Sequence, residues 1–109
     1  MTGGVISLIR ALIVEGDMEV TQHGLRELSA DRILLDDVVD GIDKAIVVEE
    51  YPNAQRGPSV LVLQRDRNDN PVHLVWGVPR DGLRPAVLIT AYRPDPNRWS
   101  TDFTTRKPR

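Results

Sequence analysis

The chain has 109 residues, 40% hydrophobic and 28% charged, with 14 Lys+Arg against 16 Asp+Glu and no cysteine. That length fits one small domain, and the lack of Cys excludes a disulfide scaffold, thiolate chemistry and Cys-ligated zinc. The net charge of −2 conceals a division: residues 1–50 carry 4 basic and 11 acidic side chains and residues 51–109 carry 10 and 5, which suggests separate acidic and basic surfaces, the basic one suited to an anionic partner.

Val5, Leu8, Ile9, Leu12 and Ile13 recur at helical spacing, and Gly16 follows as a stop. Arg10 interrupts this apolar run, so neither a signal peptide nor a membrane span is expected, and a cytoplasmic location follows. Thr21 is the expected N-cap of a second helix, with Leu25 and Leu28 on its buried face. Gly24 weakens that helix by ~1 kcal/mol relative to Ala. A third, short helix is expected from Leu35 or Asp36 to about Gly41, with Val38, Val39 and Ile42 facing inward. Its first turn carries Asp36 and Asp37, which suit the positive end of the helix dipole.

After Asp43 the hydrophobic period changes from 3.6 to 2. Four strands are predicted: Ala45–Tyr51, Val60–Arg65, Val72–Val78 and Ala86–Arg93. Turn residues separate them: Pro52, Asn53, Gly57 and Pro58, then Asp66 to Pro71, then Pro79, Asp81, Gly82 and Pro85. These short connections favour antiparallel neighbours. The expected fold is therefore α+β, with N-terminal helices on one face of a four-stranded antiparallel sheet. One domain is expected over residues 1–99, and a basic, flexible tail over residues 100–109.

Alternation puts Val72, Leu74, Trp76 and Val78 toward the helices and His73 on the other face. If Val87, Ile89 and Ala91 also face the helices, Thr90 and Tyr92 share the open face with His73. A slip of one residue reverses every such assignment. His73 could serve there as a general acid or base, or be a strand histidine with one hydrogen bond. Tyr92 and Arg93 could bind and polarise a phosphodiester, or form a strand end before the rigid turn at Pro94 to Pro96. Trp99 is expected to anchor the chain after that turn. His23 is expected to cap the second helix or reach the sheet edge. Arg65 and Arg67 flank a hairpin and matter for function only as part of a basic groove. Asp36, Asp37, Asp40 and Asp43 form either a solvated face or a docking surface for a basic partner. No HExxH or similar spacing is present, so neither a metal nor another cofactor is expected.

Thr21-x-His23, Ile33-x-Leu35-Asp36-Asp37-Val38, Val48-Glu49-Glu50-Tyr51-Pro52, Gly57-Pro58-Ser59-x-Leu61-Val62-Leu63, Pro71-x-His73-Leu74-Val75-Trp76-Gly77 and Ile89-Thr90-Ala91-Tyr92-Arg93-Pro94-Asp95-Pro96-x-x-Trp99 occur in order. In this combination the chain resembles the bacterial domain-of-unknown-function family 4258. Members are similar in pattern to small toxins of the RelE, BrnT and MqsR kind. The resemblance implies a compact RelE- or barnase-like toxin fold and metal-independent cleavage of RNA, with an antitoxin encoded nearby as partner. It implies His73 and the Thr90–Arg93 stretch as the functional surface, with His23 next; for a ribonuclease, His73, Tyr92 and Arg93 would then be catalytic and Thr90 and His23 substrate contacts, joined by Arg65 if it adds to a basic groove. A non-catalytic interaction module of the same fold is the alternative. Many relatives carry arginines four and eight residues after the first histidine; Glu27 and Asp31 stand there in this chain. That departure argues against phosphate binding on the second helix.

Overall fold

The computed structural model describes residues 4–108. In chain order these form α1 (Gly4–Val14), β1 (Met18–Val20), α2 (Gln22–Ala30), α3 (Leu35–Asp40), a 3₁₀ turn (Ile42–Lys44), β2 (Ile46–Tyr51), β3 (Ser59–Arg65), β4 (Pro71–Gly77) and β5 (Ala86–Tyr92). The α+β class is as expected, but the sheet has five strands, in the order β1-β5-β4-β3-β2. The additional strand, β1, runs parallel to β5, pairing Met18 with Ala86 and Val20 with Leu88. The other pairs are antiparallel. Three residues are too few for a period-2 pattern, so β1 is invisible to periodicity.

α1 ends in a Schellman motif. Gly16 adopts φ +79°, Asp17 N–H donates to Leu12 O (2.8 Å) and Gly16 N–H to Ile13 O (3.0 Å). Ile6, Ile9, Leu12 and Ile13 are buried, and Val5 and Leu8 pack at the margin of the core. Arg10 lies off that stripe and donates to the carbonyls of Ile42 (3.1 Å) and Ala45 (2.7 Å), tying α1 to the chain leading into β2.

Thr21 caps α2 as expected, its Oγ1 accepting from Gly24 N–H at 2.9 Å. Leu28 is buried, but Leu25 is 52% exposed, against expectation. α2 lies along β5 through the Gly24–Leu28 line, and Leu25 is rotated out of it. A Cβ on Gly24 would stand 3.0 Å from Leu88 O, so the glycine that lowers helix propensity also permits this close approach. From α3, Val38 reaches the core; Ile42 follows in the 3₁₀ turn, and Val39 is partly buried against both.

On the helical side of the sheet, Val60, Val62, Val72, Leu74, Trp76, Val78, Ala86, Leu88 and Ala91 join α1, α2 and α3 in one core. Two polar groups inside it are satisfied: Gln64 Nε2 donates to Val38 O (2.8 Å), and Trp76 Nε1 donates to Gln64 Oε1 (3.3 Å). The expected assignment of β5 requires a correction. Leu88 faces the helices, and Val87 and Ile89 do not belong to the core. A bulge changes the phase: Trp76 pairs with Leu88 but Val75 with Thr90, leaving Ile89 as the extra residue. Beyond it, Ala91 faces the helices while Thr90 and Tyr92 share the opposite face with His73, as expected.

Residues 99–107, in the region expected as a flexible tail, turn back over that opposite face. A bridge between Trp99 and Arg106 closes the turn, and Trp99 is buried against His73. With Leu61 and Leu63 also buried on this side, the sheet is covered on both faces around His73.

Candidate functional site

β4 and β5 place His73 opposite Tyr92. His73 is fully buried, and both ring nitrogens are engaged: Nε2 lies 2.8 Å from Phe103 O and Nδ1 lies 3.1 Å from Tyr92 Oη. A carbonyl only accepts, so Nε2 carries the proton, Nδ1 accepts, and the Tyr92 hydroxyl donates to it. Burial holds the His73 pKa below its usual value and Arg106 adds to this, opposed in part by the Phe103 carbonyl and Glu49. Burial likewise pushes the Tyr92 phenol up. Tyr92 remains half-exposed, with Thr90 beside it on the same face.

Three residues not predicted for this site complete the cluster. Glu49 of β2 receives two bonds from the Arg106 guanidinium, Nε at 2.8 Å and Nη2 at 3.1 Å, and one from the Tyr51 hydroxyl. The guanidinium sits 4.7 Å over the Trp99 ring, and Trp99 meets His73 edge-on at 4.4 Å. Arg106, supported by Tyr51, lowers the Glu49 pKa to about 2, and burial with the Glu49 bond raises Tyr51 to about 12. Glu49 and Arg106 are 57 positions apart. No local sequence signal announces such a pair.

Arg93 does not join His73 and Tyr92. The strand alternates there, and Arg93 pairs with Asp66 at 3.0 Å, its other contacts going to Asp31 O, Arg32 O and Pro71 O. Burial alone would raise the Asp66 pKa. The amides of Asn70 and Asn68, together with Arg93, outweigh that and lower it. His23 is exposed on α2 and pairs with Glu27 at 3.2 Å. Arg65 lies apart from the cluster, lining an open groove of about 580 Å³ with Asp37, Asp40, Lys44 and Asp102. Among the described residues no group of His, Asp and Glu side chains is arranged to hold a metal ion. Among the described residues no helix is long and apolar enough to cross a membrane.

Glu27 and Asp31 have a structural task. β1 pairs only with the first half of β5, so the N–H groups of Ala91 and Arg93 face no strand. Glu27 Oε1 accepts from Ala91 N–H (2.9 Å) and Asp31 Oδ2 from Arg93 N–H (3.0 Å). Residues four apart on a helix are separated by about 6 Å along its axis, and two strand residues by about 6.7 Å, so the spacings match. The helix thereby finishes the sheet edge with carboxylates where another strand would otherwise be needed.

A family model described as Domain of unknown function (DUF4258) matches residues 20–93. The chain belongs to that family. The matched span holds both histidines, Tyr92 and the Glu27–Asp31 edge, and stops before Trp99 and Arg106. Neither a search of curated proteins nor one of solved structures returned a match.

Proposed function

We propose that this DUF4258 chain is a non-catalytic, cytoplasmic protein-interaction module whose partner is a basic protein of the antitoxin kind encoded nearby. The observation that carries this reading is the state of His73: it is fully buried, and both ring nitrogens are taken. A general base must reach the proton it removes. The Arg93 guanidinium is likewise engaged by Asp66. A basic partner has a surface to meet. Asp36, Asp40 and Asp43 are exposed and make no hydrogen bond or ion pair among the described residues. Such a like-signed group attracts cationic chains over about 8–10 Å at ordinary ionic strength. Co-purification with the neighbouring gene product tests this reading. Binding should weaken when Asp36, Asp40 and Asp43 are changed together to Asn and persist in His73→Gln. Failure to capture any such partner at near-native expression refutes it.

One observation favours a second reading, a toxin of RelE- or barnase-like fold that cleaves RNA without a metal. The Tyr92 hydroxyl is aligned by His73, which is itself oriented by the Phe103 carbonyl, and Tyr92 is half-exposed beside Thr90. A chain of this kind can pass a proton at Tyr92 Oη, and general acid–base help is worth ~10²–10⁴-fold in rate. With its own proton directed at His73 Nδ1, Tyr92 Oη takes up a proton only by passing that one to the imidazole. Here Tyr92 and His73 form the proton-passing pair and Thr90 and His23 contact the RNA, while Arg93 and Arg65 lie away from them and take no part. Cleavage of RNA in EDTA by the folded protein, lost in Tyr92→Phe, supports this reading. Its absence from a folded preparation refutes it.

A further inference from the structure

We propose that residues 99–107 are a displaceable strap, which lifts from the sheet as one piece and uncovers the His73–Tyr92 face. The backbone bonds of this segment close on themselves. Ser100 N–H donates to Thr105 O (2.8 Å), Phe103 N–H to Ser100 O (2.9 Å) and Lys107 N–H to Arg98 O (2.8 Å). The Asp102 carboxylate holds the turn from within, accepting from Ser100 Oγ (2.7 Å), Thr104 Oγ1 (2.8 Å) and Thr104 N–H (3.1 Å). Among the described residues no strand of the sheet forms a backbone ladder with the strap.

Three attachments hold it down: the Arg106–Glu49 pair, the Trp99 ring against His73, and the Phe103 carbonyl on His73 Nε2. The first is half-open to water, with the Arg106 side chain 60% and Glu49 33% exposed. Pro94 to Arg98 leads into the strap through a compact turn, in which Asn97 and Arg98 N–H groups bond back to Asp95. Opening there breaks those three attachments and bonds of the turn itself, such as Trp99 N–H to Asp95 O (3.2 Å), but no backbone bond between the strap and a strand of the sheet. The five-stranded sheet and the strap's own bonds survive it, as required of a unit that opens locally rather than with the whole domain. In the closed state Trp99 and the strap backbone seal His73. In the open state the imidazole reaches solvent together with the Tyr92 hydroxyl. This motion does not depend on whether the uncovered face performs chemistry, so it stands whichever of the two functional readings holds.

The full chain carries its own reference for a test. It has two histidines, and His23 is exposed while His73 is sealed. Carbethoxylation by diethyl pyrocarbonate, read per residue by mass spectrometry, is compared with amide exchange at Leu74 in β4, which reports opening of the sheet. In the unaltered chain His73 should react more slowly than His23 but faster than global unfolding, as given by Leu74, would permit. Arg106→Ala should speed His73 modification by up to about fivefold relative to His23, with Leu74 exchange changed far less. Should Arg106→Ala fail to fold, Glu49→Gln replaces it in the same comparison. If His73 reactivity follows Leu74 exchange in the unaltered chain and in the variant alike, uncovering requires global unfolding and the strap is not displaceable.

Discussion

Replacing Glu27 tests how the sheet edge is finished. In Glu27→Ala the N–H of Ala91, a residue with 0% exposure, loses its acceptor. A hydrogen bond to a charged group contributes about 1.5–3 kcal/mol, and an unsatisfied buried donor costs about 1–3; both describe one loss and are not added. The Glu27 side chain is 30% exposed, so water can reach the vacated position and return part of that. The expected destabilisation is about 1.5–2 kcal/mol, or a fall in Tm of roughly 6–15 °C for a chain of this size. Glu27→Gln keeps an acceptor oxygen without the charge and should lose about half as much. Glu27→Arg should do no better than Ala, because a guanidinium cannot accept. The exposed His23 pair is controlled by His23→Ala, expected to stay within about 0.5 kcal/mol. Urea unfolding gives the stabilities, and amide exchange reads Ala91 directly. A Glu27→Ala chain as stable as the unaltered one, with Ala91 equally protected, would refute the carboxylate edge.

His73→Ala should cost about 2–4 kcal/mol, since it opens a cavity beneath Trp99 and strands the Tyr92 hydroxyl and the Phe103 carbonyl; urea unfolding reads the loss. The folded-state pKa of His73 is depressed, so the unfolded chain takes up the proton first as pH falls below 6.5. Stability should therefore decline on acidification from that point, and His73→Gln should remove that part of the slope in urea titrations run at several pH values. Glu49 is held at about 2 against an ordinary 4.5, so its contribution is complete above about pH 4.5 and lost as pH falls through about 2. Glu49→Gln should flatten thermal stability across that window. Thr21→Ala should cost about 1 kcal/mol in thermal or urea unfolding, by removing the cap of α2.

The helices and the four longer strands were legible because amphipathic period is a local property. Val5 to Ile13 repeats with the turn of a helix, and Val72 to Val78 alternates as a strand must. The shared face of His73, Thr90 and Tyr92 was legible on the same ground. Even so, the expected phase of β5 held only beyond Ile89, because a bulge consumes one residue and exchanges the faces. Leu25 looked like a core residue because composition does not reveal which stripe of α2 meets β5.

Tertiary structure decided everything that joins distant segments. β1 exists because Asp17 to Thr21 meets β5 some 70 positions later, a parallel pairing with no turn sequence to signal it. Glu27 and Asp31 read in the sequence only as missing arginines; the fold makes them acceptors for a bare strand edge. Arg93 follows Tyr92 in sequence but points away from it, while Arg106 reaches the cluster by pairing with Glu49 across the sheet. The sequence by itself determined that helices precede strands, that acidic and basic residues are divided between the two halves, and which residues could occupy one sheet face. Only the fold decided that this face is closed by residues 99–107, because closure depends on side chains that no local pattern places in contact.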